Sequence, residues 1–232
     1  MPLRIIQGSS RELEDADINV IIDVIRAFTV AHYAFIGGVR GIMLAGTVDE
    51  AFRLKERYPS HLLAGEIQGL PIPGFELDNS PARLQRFDLN GKYLIQKTTN
   101  GVAAALNALN ADHIFVTGFT NAKTTAEFIK RNFMKGEDVK VQLIASHPSG
   151  DDDLACAEYM AGILRGEGGI SSDRAIERIR ESEAAAKFYD AGKPEFLEED
   201  ITLCAREYAA GFVMKVNNER QAPVVQKVPA GT

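Results

Sequence analysis

The chain has 232 residues, 45% of them hydrophobic, and a formal net charge of -6. That size and composition suit one globular domain with a buried core, and the acidic balance without any basic run argues against a nucleic-acid partner, which needs a basic face to neutralise phosphates. No stretch approaches the ~18 continuous apolar residues of a membrane span and MPLRIIQGSS lacks the apolar core of a signal peptide, so a soluble cytoplasmic protein with no membrane partner is expected.

The β-branched, nearly continuous apolar run at residues 19–25 predicts a strand covered on both faces. Residues 27–35 predict a helix closed by Gly37 and Gly38. Residues 41–45 predict a second strand, and Thr47 a helix start with Asp49 and Glu50 where the helix dipole favours them. Residues 62–66 predict a third strand, which runs into the stiff loop GEIQGLPIPGFELDNSP. Residues 92–97, 113–117 and 140–144 predict three more strands, with helices over GVAAALNAL and over 122–135. After residue 150 the pattern turns helical, through DDDLACAEYMAGILRG, SSDRAIERIRESEAAAKFY and LEEDITLCAREYA. This alternation predicts an α/β fold: a mainly parallel sheet with helices on both faces, three layers in α/β/α order, and extra helices in the C-terminal part. Residues 1–232 read as one domain, with a loose tail at 217–232. Cys156 and Cys204 fall in no metal or redox motif and read as buried, small apolar residues.

In open parallel sheets, ligands bind beyond the carboxyl ends of the strands. Asp23 lies in an otherwise apolar strand. A buried carboxylate needs a cation, a metal or backbone amides, and Arg26 is one available partner. Glu66 poses the same question at the end of another strand. Asp151, Asp152 and Asp153 form either a helix-dipole cluster or, with the two strand-end carboxylates, oxygen ligands for a hard cation such as Mg2+. Thr98-Thr99-Asn100-Gly101 and Asn79-Ser80-Pro81 place hydroxyls and free amides at helix starts. That chemistry suits either an anion or simple capping. His147 falls near the same edge. No GxSxG elbow is present, which argues against a Ser-His-Asp triad.

Together, DVIRAFT (23–29), GEIQGLPIPGFELDNSP (65–81), TTNG (98–101) and DDDLACAEY (151–159) resemble the 2-phosphosulfolactate phosphatase family. Its pattern runs D-x-x-R-A-[ST]-T, a Gly-Glu loop to G-F-x-x-G-N-S-P, T-T-N-G, then an acidic E-D-L-x-x-A-G helix start. The resemblance covers nearly the whole chain up to the last helices. It implies Mg2+-dependent hydrolysis of (R)-2-phospho-3-sulfolactate to 3-sulfolactate and phosphate, a step of coenzyme M biosynthesis in methanogens. On this reading Asp23, Arg26 and Glu66 are catalytic, and Asp23, Glu66 and Asp153 hold the Mg2+. Thr29, Asn79, Ser80, Thr98, Thr99, Asn100 and Gly101 bind the substrate, a small phosphorylated acid. A homodimer is the expectation from base rates. Two positions depart from the pattern: Asp78 replaces a Gly and adds negative charge beside the expected anion site, and Glu158 replaces the Gly of the acidic helix. Two other readings stay open, a phosphatase for a different small phosphate monoester and a non-catalytic receptor for a phosphorylated or sulfonated metabolite. Asp23 as a covalent nucleophile, rather than a metal ligand, also stays open.

Overall fold

A computed structural model describes residues 2–8, 13–134, 138–219 and 222–231. The described residues form one sheet of ten strands, flanked by helices on both faces. Strands β1 (Leu3–Gln7), β2 (Ala16–Ile22), β7 (Ala111–Thr117) and β8 (Val141–Ala145) make one parallel block, in the order β1-β8-β2-β7. Strands β3 (Gly41–Leu44), β6 (Tyr93–Lys97) and β4 (Leu62–Ile67) make a second parallel block, edged by the short antiparallel β5 (Leu70–Pro71). The blocks are joined by an antiparallel pair, β9 (Phe212–Asn217) and β10 (Val224–Pro229), with β9 against β7 and β10 against β3.

β2 shows why its sequence reads as a continuous apolar run. Ile18, Val20 and Ile22 face a cluster that includes Ala126 and Ile129 of α5 (Ala122–Phe133) and Met160 of α6 (Asp151–Arg165). Ile21 faces the other way, toward α1 (Ala27–Ile36). Alternate side chains thus enter two different cores, and both must be apolar. Every residue of α1 from Ala27 to Phe35 is buried. A helix that is hydrophobic all round belongs inside a protein, and burial of Phe28 and Phe35 contributes roughly 2–3 kcal/mol each. α1 shares one core with Ile21, Val116 and Ile144 of the first block and with Ile42, Leu44 and Leu94 of the second. The sheet therefore coils around this helix.

The coiling has a consequence for the site. Three successive antiparallel pairings, β7-β9, β9-β10 and β10-β3, would point the two parallel blocks in opposite directions in a flat sheet. Yet Gln96, near the end of β6, donates to the carbonyl of Ala27, just after β2, at 2.9 Å. A right-handed twist accumulated across the joining strands brings the carboxyl ends of the two blocks together.

Three expectations need correction. Residues 224–229 are no loose tail but β10, in the interior of the sheet. The polar, Pro-containing sequence hides Val224 and Val225, both buried, and Pro229 sits at the strand's end, where a lost N–H is tolerated. Residues 220, 221 and 232 of that segment, like Lys135 of the helix predicted at 122–135, lie outside the described residues. The helix predicted over 171–189 breaks. Ser182 ends α7 (Ser172–Glu181) in extended conformation (φ -62°, ψ 152°) and caps α8 (Glu183–Ala186) by accepting from the Ala185 amide. The helix predicted over 197–209 is only α9 (Glu198–Cys204), and β1 and β9 were not expected. Cys156 and Cys204 are free and buried, as the sequence indicated. Among the described residues no helix is long and apolar enough to cross a membrane.

Candidate active site

Where the ends of the two blocks converge lies an open cavity of about 420 Å³. Six of the predicted residues line it: Asp23 and Arg26 after β2, Glu66 at the end of β4, Asn79, and Thr99 and Asn100 after β6. His147 lines it too, as its position suggested. Sequence reasoning missed Gln68, Gly69, Lys187 and Phe188 in the same wall.

Asp23 is nearly inaccessible. Its Oδ1 accepts from the Ala27 amide at 2.8 Å, and its Oδ2 lies 3.2 Å from Ser146 Oγ. Gly101 permits this position, because a Cβ there would stand 2.5 Å from Asp23 Oδ2. Burial, then the charge of Asp153, push the Asp23 carboxyl up to about 8. Ser146 Oγ also reaches Asp153 Oδ2 at 2.9 Å. One hydroxyl proton cannot serve two carboxylates, so a proton shared within this trio fits the raised affinity of both acids. Asp153 is likewise pushed well up, by burial and then by Asp152.

Asp153, expected as a metal ligand, does not line the cavity. Its oxygens are taken by the amides of Val24 (2.7 Å) and His147 (3.1 Å) and by Ser146, so it ties the β2 and β8 loops together. Its neighbour Asp152 differs. Oδ2 accepts from the Ile25 amide, but Oδ1 is buried with no partner, and burial followed by the Asp23 charge raises its proton affinity. A buried carboxylate oxygen without a partner is costly and marks a shortage of positive charge. Glu66 is buried and accepts from the Gly69 and Thr99 amides and from Thr99 Oγ1. It fixes the loops after β4 and β6 to each other. Among the described residues, no three His, Cys, Asp or Glu side chains stand ready as a metal cage.

The Asp23–Arg26 pair, one of the readings left open by the sequence, is not formed. Arg26 Nη1 pairs with Asp200 Oδ2 of α9 at 2.8 Å, and Nη2 donates to the Gly69 carbonyl at 3.0 Å. Its guanidinium lies over Phe188, 4.9 Å from the ring centroid. The other oxygen of Asp200 accepts from Ser80 Oγ (2.7 Å) and the Ala82 amide (3.0 Å). The anion expected at the start of α3 (Pro81–Leu84) is thus the protein's own carboxylate. Ser80 is fully buried, caps that helix and does not line the cavity, whereas Asn79 does, with Oδ1 buried and unpartnered.

Three more predicted binding residues do not line the cavity. Thr29 donates to the Val24 carbonyl and packs against Gly118. Thr98 caps α4 (Gly101–Asn107) by accepting from Val102. Gly101 makes room for Asp23. Asp200 had no signal beyond an acid inside an apolar helix, and Lys187 none beyond the break at Ser182.

The family model for 2-phosphosulpholactate phosphatase matches residues 5–219. The chain belongs to the 2-phosphosulfolactate phosphatase family. It is 54% identical over 228 residues to a protein of Bacillus subtilis (strain 168) named "Probable 2-phosphosulfolactate phosphatase", covering 98% of this chain and 99% of the relative. A Clostridium perfringens (strain 13 / Type A) protein of the same name is 31% identical over 219 residues, 87% of this chain and 86% of its own length. One from Caldicellulosiruptor saccharolyticus is 35% identical over 148 residues, 62% and 61% respectively. The family is one of phosphoric monoester hydrolases. The two departures from its pattern are both neutralised. Asp78 pairs with Arg83 at 2.6 Å, and Glu158 pairs with Arg178, which also holds Asp151. Neither residue lines the cavity.

Proposed function

We propose that this protein is a Mg2+-dependent phosphatase that converts (R)-2-phospho-3-sulfolactate into 3-sulfolactate and inorganic phosphate. The observation that carries this reading is the convergence of Asp23, Arg26, Glu66, Asn79, Thr99 and Asn100, from three separate motif segments, on one cavity. An anion receptor has no use for a buried group of carboxylates, which speaks against the receptor reading. A cation does.

The donors fit Mg2+. Asp23 and Glu66 line the cavity with hard carboxylate oxygens, and Asp152, whose charge acts on Asp23, keeps a buried oxygen without a partner behind them. Mg2+ is bound through one or two carboxylates plus substrate phosphate and water rather than an all-protein cage. When bound, it would neutralise charge on the phosphoryl oxygens. The chain's own residues do the rest. Asp23, with Glu66, would hold the cation, and a cation there would favour the carboxylate form of Asp23. Ser146 and the Ala27 amide keep its carboxylate aimed at the cavity. Glu66 holds the Gly69 and Thr99 backbone in place, so that Thr99 and Asn100 present a fixed polar rim to the substrate. Asn79 offers an unpaired amide oxygen to water or to the hydroxyl of the 3-sulfolactate product.

The test is phosphate release from 2-phosphosulfolactate with Mg2+ and with EDTA, against a panel of small phosphate esters. Release that requires Mg2+ and favours the sulfonated ester is expected. Turnover of the sulfonated ester no faster than of generic esters refutes the substrate assignment. Equal rates in EDTA refute the metal.

A further inference from the structure

The cavity is lined by both charges. Its acids are Asp23 after β2, Glu66 of β4 and Glu183 of α8. Cations reach it from Arg26 and from Lys187, which follows α8 in a turn of tight helix at Lys187–Tyr189. Arg26 is answered, because Asp200 matches its charge. Lys187 is not. It is about half-buried, with its ammonium 4.8 Å from the Phe196 ring centroid and 5.7 Å from that of Phe188, and it makes no ion pair among the described residues. Aromatic faces return only part of what an ammonium loses on leaving water. The backbone makes room for it: Gly69 has φ +85°, and a Cβ there would stand 3.0 Å from Lys187 Nζ. A half-buried cation that feels Glu66 and Asp152 only at a distance and pairs with neither, in the wall of a cavity, is a place for an anion from outside.

In the reading above, the phosphoryl group would sit at the cation held by Asp23 and Glu66, which leaves Lys187 free for a second anion. We propose that Lys187 is the specificity residue that binds the substrate's other, non-transferred anion, the sulfonate in the reading above. An ammonium offers three donors, and a sulfonate offers three acceptor oxygens. Phe188 and Phe196 fix the ammonium, so its ordering cost is met before substrate arrives. The identity of the anion rests on the proposed reaction; the role of Lys187 as an anion site does not.

The experiment compares wild type, Lys187→Met and Lys187→Arg on 2-phosphosulfolactate and on 2-phospholactate, which lacks the sulfonate. Loss of a charged hydrogen bond predicts that Lys187→Met loses about 10–100-fold in kcat/KM on the sulfonated ester, mostly through KM, and much less on the other. Lys187→Arg restores part of the loss. An unchanged melting temperature in Lys187→Met separates this from misfolding. Equal losses on both esters, or a fall in kcat without a rise in KM, overturn the proposal. Calorimetric titration with 3-sulfolactate separates it from the proposed reaction. Lys187-dependent binding in a protein that fails to hydrolyse the ester leaves this inference standing while the reaction falls. Binding that Lys187→Met leaves unchanged overturns the inference whatever the turnover.

Discussion

Asp200 is the residue whose removal most directly tests how the site is held. It is fully buried in α9 and joins three parts of the chain: the Arg26 guanidinium, the Ser80 hydroxyl and the Ala82 amide. Asp200→Asn keeps its shape but leaves Arg26, only 5% exposed, with the Gly69 carbonyl and two aromatic rings. Breaking a buried ion pair from one side costs about 3–5 kcal/mol, chiefly through the charge left behind. Against a total stability of about 5–15 kcal/mol, that is a large fraction, and in a chain this long it lowers the melting temperature by roughly 10 °C. Urea denaturation followed by circular dichroism measures the loss. The decisive comparison is a double-mutant cycle with Arg26→Met. If the unpaired charge causes the damage, the double variant recovers about 2 kcal/mol relative to the sum of the singles. Strict additivity, or an Asp200→Asn variant within about 0.5 kcal/mol of wild type, would refute the role given to this pair.

Three further outcomes are expected. Asp23→Asn lowers kcat by about a thousandfold while 3-sulfolactate still binds within about tenfold of wild type, as calorimetry would show; retained turnover removes Asp23 from the chemistry. Gly101→Ala forces a methyl against Asp23 Oδ2 and against Ala27 Cβ, 2.8 Å away. It costs about 2 kcal/mol of stability and at least about tenfold in kcat/KM, and a neutral outcome in both assays contradicts the close approach. His32 is buried against Thr120 and Phe212, and burial lowers its pKa from near 6.5 to about 4. The unfolded chain therefore takes up this proton first as pH falls. Stability from this group is complete above pH 6.5 and declines toward pH 4, by about 2 kcal/mol between pH 7.5 and 5. His32→Asn removes that part of the slope in denaturation curves, and parallel pH profiles would show the assignment to be wrong.

The class of fold was legible because it rests on periodicity. The run around β2 and the Thr47 cap are local signals, and both stand in the structure. The carboxylates Asp23 and Glu66 were legible because an acid in an apolar strand demands an explanation. Which neighbour supplies that explanation was not legible, since it depends on contacts far apart in sequence. Arg26 is three residues from Asp23, yet its partner is 174 residues away. Ser80 and Thr98 carried signals that suited either capping or an anion; Ser80 caps α3 and Thr98 accepts from a first-turn amide of α4, and local chemistry alone could not choose between the two uses. Asp152 and Asp153 are adjacent and identical in type. Only the fold decides that one is saturated by amides and the other keeps a bare oxygen. The hairpin of β9 and β10 was missed because a Pro at each side of VVQKV outweighed its β-branched residues.

That hairpin also sets a timetable. Asp23 and Glu66 belong to blocks that are both made before the strands that join them. Until β9 and β10 arrive, β7 and β3 each carry a bare row of backbone donors and acceptors, the kind of edge on which chains stack into aggregates. One late event seals both edges and brings the two halves of the cavity together. A molecule with the carboxylates of its cavity assembled is, by the same step, a molecule with no sticky seam at the middle of its sheet.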